Sequence, residues 1–419
     1  MGLPLKGFKV LSFAHAWAAP YGAMMLADMG AECVMVEVPG VGDHTRNWTR
    51  TDLKGVSPHF VSVNRNKRSI QIDLRTDAGK EVALKLATEA DAIIENFAPG
   101  KLAKYGLDYE GVAAVNPEIV YASVSGYGAA GPDSMRRAYD LLLQAESGIM
   151  SVTGGVDGEH AKVGVPLSDV AAAMIAAFSL VCGLVEKVRN GKGANIDISM
   201  LEVSSSLMAF NVVDYSVSGH VAKPLGTEHP LLAPYRAFDT ATSPIVICIL
   251  TNRHWEIFKE LVGRPELDDH RFDTAPLRVD HRAPLNAILT DIFADHDQDY
   301  WIELLNDAGL ACGRVRDVED VINHPQHLER GFFEDHTVQG VDIKMPGRPW
   351  AYGESRTAPS TPPPEVPGAH AHAVLSEWLG MGEGEIAEVE EAGGVCRSAD
   401  AVPPVIADVP DAQVAEAGL

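Results

Sequence analysis

Residues 9–37, KVLSFAHAWAAPYGAMMLADMGAECVMVE, decide the fold. Lys9–Phe13 reads as a short strand, Ala18–Met29 as a helix, Gly30 as its stop, and Cys33–Glu37 as the next strand. A strand, a covering helix and a second strand in so few residues make a βαβ unit, the building block of a parallel sheet. The turn after the first strand reads AHAWAAPYG, without the Gly-x-Gly-x-x-Gly spacing that cradles a pyrophosphate. A dinucleotide site of the usual kind is therefore not expected.

The alternation continues outward. Asp77–Glu89 reads as helix, and Ala92–Asn96 and Ile119–Val124 as strands. Gly126, Gly128, Gly131 and Pro132 mark a loop at a strand's carboxyl end, where open α/β sheets place ligands. NGKGANIDISM is a turn and a strand, and Leu201–Ser218 a helix leading out of the domain. From about 225 to 330 a smaller unit follows, with strand Ile245–Leu250 and helical stretches His254–Val262, Pro284–Ala294 and Asp299–Ala308. RGFFEDHTVQGVDIKMPGRPW then suggests strands returning to the first domain, SRTAPSTPPPEVPG is a linker by composition, and Ala369–Leu379 is a last helix. The reading is a large α/β domain over residues 1–200, a linker at 201–224, a small α+β domain at 225–330 and a return linker at 331–365. Residues 366–396 complete the large domain, and the aperiodic tail 397–419 is expected to drape the surface or be disordered.

Composition bounds the function. The 419 residues are 46% hydrophobic and 22% charged, ordinary for a soluble globular enzyme. A formal charge of −24 speaks against nucleic acid or an anionic membrane as partner. Any anionic cofactor would need basic residues gathered locally against that field. The five cysteines (33, 182, 248, 312 and 396) are scattered, with no CxxC pair, which suggests reduced thiols in the cytoplasm and no zinc site. No His, Cys, Asp or Glu grouping has metal-ligand spacing, so no metal is expected. The N-terminus lacks a secretory n-region and h-region. The apolar run Val170–Val185 is too short and Ala-rich for a membrane span and reads as a buried core helix.

That run begins beside Asp169. Taken alone, Ser168 or Asp169 is an N-cap. A carboxylate at the first turn would also be held in its charged form by unpaired N–H groups and the helix dipole, at the edge of a dry interior. That is a setting for an oxygen nucleophile.

The segments PLKGFKVLSF, LADMGAECVMVEVPGVGDHTR, NRNKRSIQIDL, ADAIIENFAPG, SGYGAAGP, AYDLLLQAESG, PLSD, HPLLAPYRAF and PGAHAHAVLSEWLG, in this order, give a pattern from Leu5 to about Val395. It resembles the class III CoA-transferases of the formyl-CoA:oxalate and carnitine type, with the α-methylacyl-CoA racemases as relatives. The resemblance implies a Rossmann-like large domain, an interlocked homodimer, acyl-CoA and a carboxylic acid as substrates, and Asp169 as covalent nucleophile. It places Tyr139 at the catalytic position where racemases carry a His. A tyrosine, with a pKa near about 10, is a poor base for proton exchange beside a thioester.

For CoA the resemblance points to Arg75, Asn96, Phe97, Lys104 and Arg137: cations for phosphates, an aromatic and an amide for adenine. Val38 departs from the basic residue often found at that position. The acyl pocket is expected near His15, Trp17 and the loop Gly42–Trp48, with Arg46 as a carboxylate clamp and His15 or His44 as ligand or base. Trp17 replaces a Gln of the oxalate enzymes, and a Gly-rich lid is missing between Val221 and Pro234, so oxalate is a less expected acceptor; the acyl group itself is expected to be small, polar and carboxylate-bearing, such as a succinyl, mesaconyl or itaconyl unit. The competing readings are a 2-methylacyl-CoA racemase and a non-catalytic CoA-binding protein.

Overall fold

The computed structural model describes residues 3–352 and 360–396. Six parallel strands form one sheet: β1 (Lys9–Phe13), β2 (Glu32–Glu37), β3 (Lys67–Gln71), β4 (Ala92–Glu95), β5 (Val120–Ser125) and β6 (Ala194–Ser199). Their order is β3-β2-β1-β4-β5-β6. The chain thus winds outward from β1 in both directions, and the switch point where a ligand crevice opens lies between β1 and β4.

The strands read from the sequence are present, with ends shifted by a residue or so. β3 was not legible as a strand, because KRSIQ looks polar. Its fully buried donors find partners: Lys67 Nζ donates to Pro20 O at 2.7 Å and Asn64 Oδ1 at 2.6 Å, Ser69 Oγ to Glu37 Oε1 at 2.5 Å, and Gln71 Nε2 to Val38 O at 2.9 Å. Burial with a partner removes the penalty that makes such a run look exposed.

One face of the sheet is covered by helices Ala18–Asp28 and Leu167–Asn190, which share a core of Val10, Ile94, Ala122, Ala172, Ala176 and Leu180. The other face carries Asp77–Glu89 and the C-terminal helix Ala371–Leu379, meeting over Leu11, Ile70, Leu86 and Leu375. Helix Leu167–Asn190 extends the expected run at both ends. It is the one described helix long and apolar enough to cross a membrane, but its alanine stripe lies against the sheet. That contact is close. A Cβ added at Gly183 would sit 2.3 Å from Val120 Cγ1, inside a short, buried side chain with nowhere to move. Gly183→Ala is therefore expected to destabilise by about 1–3 kcal/mol, read as a lower urea midpoint with unchanged slope.

By contacts the chain divides into two units: 3–149, 163–217 and 330–396 in the first, 150–162 and 218–329 in the second, among the described residues. The expected linker 201–224 is largely helical, Met200–Ser206 and Ala209–Ser218. The segment 150–162, read as part of the large domain, belongs with the second unit: Gly226 N donates to Gly154 O at 2.9 Å. The second unit has an antiparallel sheet, β7 (Tyr235–Phe238), β8 (Ile245–Cys248) and β9 (Ala311–Arg314), under helices Asn252–Val262, Arg282–Ala294 and Gln298–Asp307. Trp255, Phe258, Phe293 and Trp301 fill its core. The expected return strands form a hairpin, β10 (Phe333–Val338) and β11 (Val341–Pro346), packed on Phe60 and Val61. Part of the expected linker (353–359) and the tail 397–419 lie outside the described residues.

Candidate active site

Two helix contacts locate Asp169. A Cβ at Gly22 would meet Ala173 O and Ile94 Cδ1, late in β4, whereas Gly183 meets Val120, the first residue of β5. Helix Leu167–Asn190 therefore runs against the strands and presents its first turn, with Asp169, at their carboxyl edge. Pro166 is the N-cap and makes no side-chain cap. Asp140 serves instead: its Oδ1 accepts from Ser168 N at 2.8 Å and its Oδ2 from Gln144 Nε2 at 2.7 Å. The fully buried Gln144 also accepts from Val163 N at 2.8 Å, tying the approach to the helix onto helix Asp140–Glu146.

Asp169 is half-buried. Burial, and then the charge of Asp140, push its carboxyl up to about 7. The expectation of a fully ionised group is corrected accordingly. Dipole and N–H groups favour the anion at a helix start, but desolvation and a like charge outweigh them here.

Tyr139 stands next to this network as the N-cap of helix Asp140–Glu146, and its side chain is 68% exposed. The loop after β5 sets its place. A Cβ at Gly126 would fall 2.1 Å from Ala138 Cβ, so only glycine lets the Ala138–Tyr139 segment lie against the strand end.

The loops after β1, β2 and β4 meet at the same edge. Asn96 spends its amide on the backbone of His15, with His15 N to Oδ1 at 2.9 Å and Nδ2 to His15 O at 2.7 Å. It is a clamp between loops rather than a group left over for adenine. Phe97 packs edge-on to His15 at 5.3 Å, and its N–H is held by Glu95 Oε2 at 2.7 Å. Burial pushes Glu95 up to about 7. His15 lies 6.3 Å from His44, and His44 lies 5.2 Å from the half-exposed Trp48 ring. Trp17, the N-cap of helix Ala18–Asp28, tilts against Tyr21 at 6.0 Å. Between His15 and Trp17, Ala16 takes φ 64°, a left-handed conformation that costs a non-glycine residue about 1–2 kcal/mol and is tolerated at functional turns.

Two expected anion binders are already engaged. Arg75 pairs with its neighbour Asp73, Nη2 to Oδ2 at 2.8 Å. Arg46 is buried and forked onto Glu37 by two 2.7 Å hydrogen bonds, with Nη1 on Pro364 O at 2.9 Å. It has no donor pair left for a substrate carboxylate, which corrects the expectation of a clamp.

Lys104 and Arg137 are exposed, and both raise the potential at Lys101, whose ammonium is lowered by burial and by these two neighbours. Lys101 Nζ also sits over the Phe97 ring at 5.5 Å. None of the three cations has a carboxylate partner among the described residues. In a chain of charge −24 this is the local basic patch that an anionic cofactor needs. The sequence reading missed Lys101, although it stands in the same PGKLAKYG run as Lys104.

The architecture is that of an α/β protein with a carboxylate and a cationic patch gathered at one sheet edge. Residues 5–371 match the family model described as CoA-transferase family III. The chain is 35% identical over 386 residues to the succinyl-CoA:glutarate CoA-transferase of Mus musculus, covering 91% of this chain and 88% of that one. It is 32% identical over 371 residues to the acetyl-CoA:oxalate CoA-transferase of Acetobacter aceti, covering 87% and 94%. The crystal structure of a CAIB/BAIF family protein from Brucella suis superposes with a TM-score of 0.81 at 33% identity, over 90% of this chain and 100% of that one. The chain belongs to CoA-transferase family III. It is accordingly an enzyme that uses acyl-CoA and a carboxylic acid, and the racemase reading is not favoured.

Proposed function

We propose that this enzyme moves CoA from a dicarboxylyl-CoA to a second small carboxylic acid through a covalent intermediate on Asp169. The observation that carries this is a half-buried carboxylate at a helix start, poorly solvated and hence nucleophilic once deprotonated. Asp169 attacks the thioester carbonyl and CoA thiolate leaves, giving an aspartyl–acyl anhydride. The thiolate then attacks the aspartyl carbonyl, releases the donor acid and leaves an aspartyl-CoA thioester. The acceptor carboxylate repeats both steps in reverse order and restores Asp169. Each tetrahedral oxyanion needs N–H donors of the surrounding loops. Tyr139, exposed beside the nucleophile, is assigned to the catalytic edge; it suits transfer, which needs no base at the carbon next to the carbonyl.

The substrate class is supported by relatives named for succinyl-CoA, glutarate and oxalate. Trp17 narrows the pocket and disfavours oxalate as acceptor. The test is to supply succinyl-CoA with glutarate or other dicarboxylic acids and identify the new thioester by mass, adding hydroxylamine to convert the intermediate to an Asp169 hydroxamate. Faster turnover of a long-chain acyl-CoA overturns the substrate class, and turnover with no trapped Asp169 overturns the intermediate.

We assign the CoA phosphates to Lys101, Lys104 and Arg137, with Phe97 against the adenine and Arg75 and Asn96 shaping the rim. Lys101→Ala is then expected to raise KM for acyl-CoA about tenfold with kcat little changed, since a charge-assisted contact is worth about 1.5–3 kcal/mol. The same variant assayed with a donor truncated to the pantetheine thioester loses nothing further if the contact is to phosphate.

The reading includes a homodimer, as the family resemblance implies, in the cytoplasm, as the scattered cysteines suggest. Exposed apolar side chains support the dimer: Phe178 and Val188 on the nucleophile helix, Phe210, Val213 and Val217 on helix Ala209–Ser218. A folded monomer in sedimentation at low concentration counts against it.

A further inference from the structure

Three side chains from two separate loops converge beside the acyl-pocket region with unspent donor atoms. His15 Nδ1, Asp43 Oδ2 and His44 Nδ1 are buried and have no hydrogen-bond partner. One ligating atom from each residue lies within 4.8 Å of those of the other two. His15 is 7% exposed and Asp43 is fully buried, so neither is satisfied by bulk water. An unpaired buried carboxylate oxygen is costly, and a buried polar cluster of this kind calls for an occupant.

The cluster is built rather than incidental. The backbone of His15 is fixed on both sides by Asn96. Asp43 Oδ1 accepts from Thr45 N at 2.8 Å and Thr45 Oγ1 at 2.7 Å and lies 3.9 Å from His44 Nδ1, while Oδ2 is left without a hydrogen-bond partner. Asp43 N is held in turn by Glu37 Oε2 at 2.8 Å. Such outer hydrogen bonds orient ligands at metal centres. The His44 side chain is 29% exposed and gives a path from solvent.

We propose that His15, Asp43 and His44 form a binding site for one divalent transition-metal ion of the zinc class. Two imidazole nitrogens and one carboxylate oxygen are the donor set that borderline ions accept, with positions left open for further ligands. Bonds of about 2.0–2.2 Å require the donors to draw together by roughly 1 Å, a shift the partly exposed His44 ring supplies by rotation. On the transferase reading, an open position would receive a substrate carboxylate oxygen, but the site itself stands on these three residues alone.

The test titrates Co²⁺ into the full-length chain after chelator dialysis and follows visible ligand-field absorption. The expected result is one saturable equivalent, displaced by Zn²⁺, whose affinity falls at least about tenfold in both His44→Ala and Asp43→Asn. Asn keeps the oxygen that caps Thr45, and residue 44 lies at the surface, so the metal-free melting curves of both variants should match the parent. No saturable band overturns the site, leaving water as the occupant. Equal affinity in parent and variants also overturns it, because the ion then sits on other histidines.

Discussion

On the proposed mechanism, Asp169→Ala is expected to lower CoA transfer by roughly 10⁴-fold or more, in kcat and kcat/KM together, because it would remove the carboxylate on which both the anhydride and the thioester form. Acyl-CoA binding should survive, since the cationic patch of Lys101, Lys104 and Arg137 is untouched. Asp169→Asn gives the sharper contrast. It should be equally inactive but more stable at pH 8. A carboxyl whose folded pKa is raised supports the fold only in its protonated form. That contribution is whole below the unfolded value of about 3.9 and is lost as pH rises through about 7. The amide cannot ionise and escapes this loss. Asp169 is only half-buried, and it gains about 0.3–1 kcal/mol from the helix dipole as an anion, so the net gain for Asn is about 1 kcal/mol. The same titration governs rate: with the parent enzyme, kcat/KM should climb with pH through about 7 and level above it. A flat profile from pH 6 to 8, or substantial activity in Asp169→Ala, removes Asp169 from the chemistry.

The elements came from the sequence wherever one face was apolar and the period regular. Asp77–Glu89 is the clearest case, read to the residue because Thr76 caps it, its Oγ1 accepting from Gly79 N at 3.0 Å, and its core side repeats at Val82, Ala83 and Leu86. β3 escaped because its buried residues are polar and pay for burial with partners from distant loops. The neighbourhood of the candidate site was legible as far as it lies in continuous motifs, the Ala138-Tyr139-Asp140 and Pro166-Leu167-Ser168-Asp169 runs. That Asp140 caps the helix bearing Asp169, and adds to the rise in its pKa, was not legible, since twenty residues, 147–166, with the short helix Ile149–Val152 among them, separate the two helices in the chain. The same holds for His15 with Asp43 and His44. Ligand spacing along a chain reveals only sites carried by one segment, and this cluster is assembled by the parallel pairing of β1 with β2.

Arg46 shows how a correct motif can carry a different duty, and its removal should be the most destabilising single truncation near the site. Glu37, at the end of β2, is 1% exposed at its side chain. Burial alone would raise its carboxyl, but the charge of Arg46 and hydrogen bonds from Arg46, Ser69 and Asp43 N outweigh that and hold it below the usual range. Arg46→Ala leaves this carboxylate buried without its cation and empties the space over Phe60, on whose ring the guanidinium stacks at 3.7 Å. The expected loss is about 3–5 kcal/mol in urea unfolding at pH 7, against 0–1 for an exposed pair. Because the Glu37 pKa is depressed, the pair's contribution is present above the unfolded value and disappears as pH falls through the folded one. The parent and Arg46→Ala curves should therefore converge in acid. Glu37→Gln with Arg46→Met, which removes both charges and keeps the volume, should recover most of the loss. A clamp on a substrate carboxylate predicts something else: near-normal stability, and a KM that rises for succinyl-CoA but not for acetyl-CoA. The hydrogen bonds of Arg46 are spent on Glu37 and on the backbone of Pro364 and Glu365, so the first pattern is the expected one, and the second would return Arg46 to the acyl pocket.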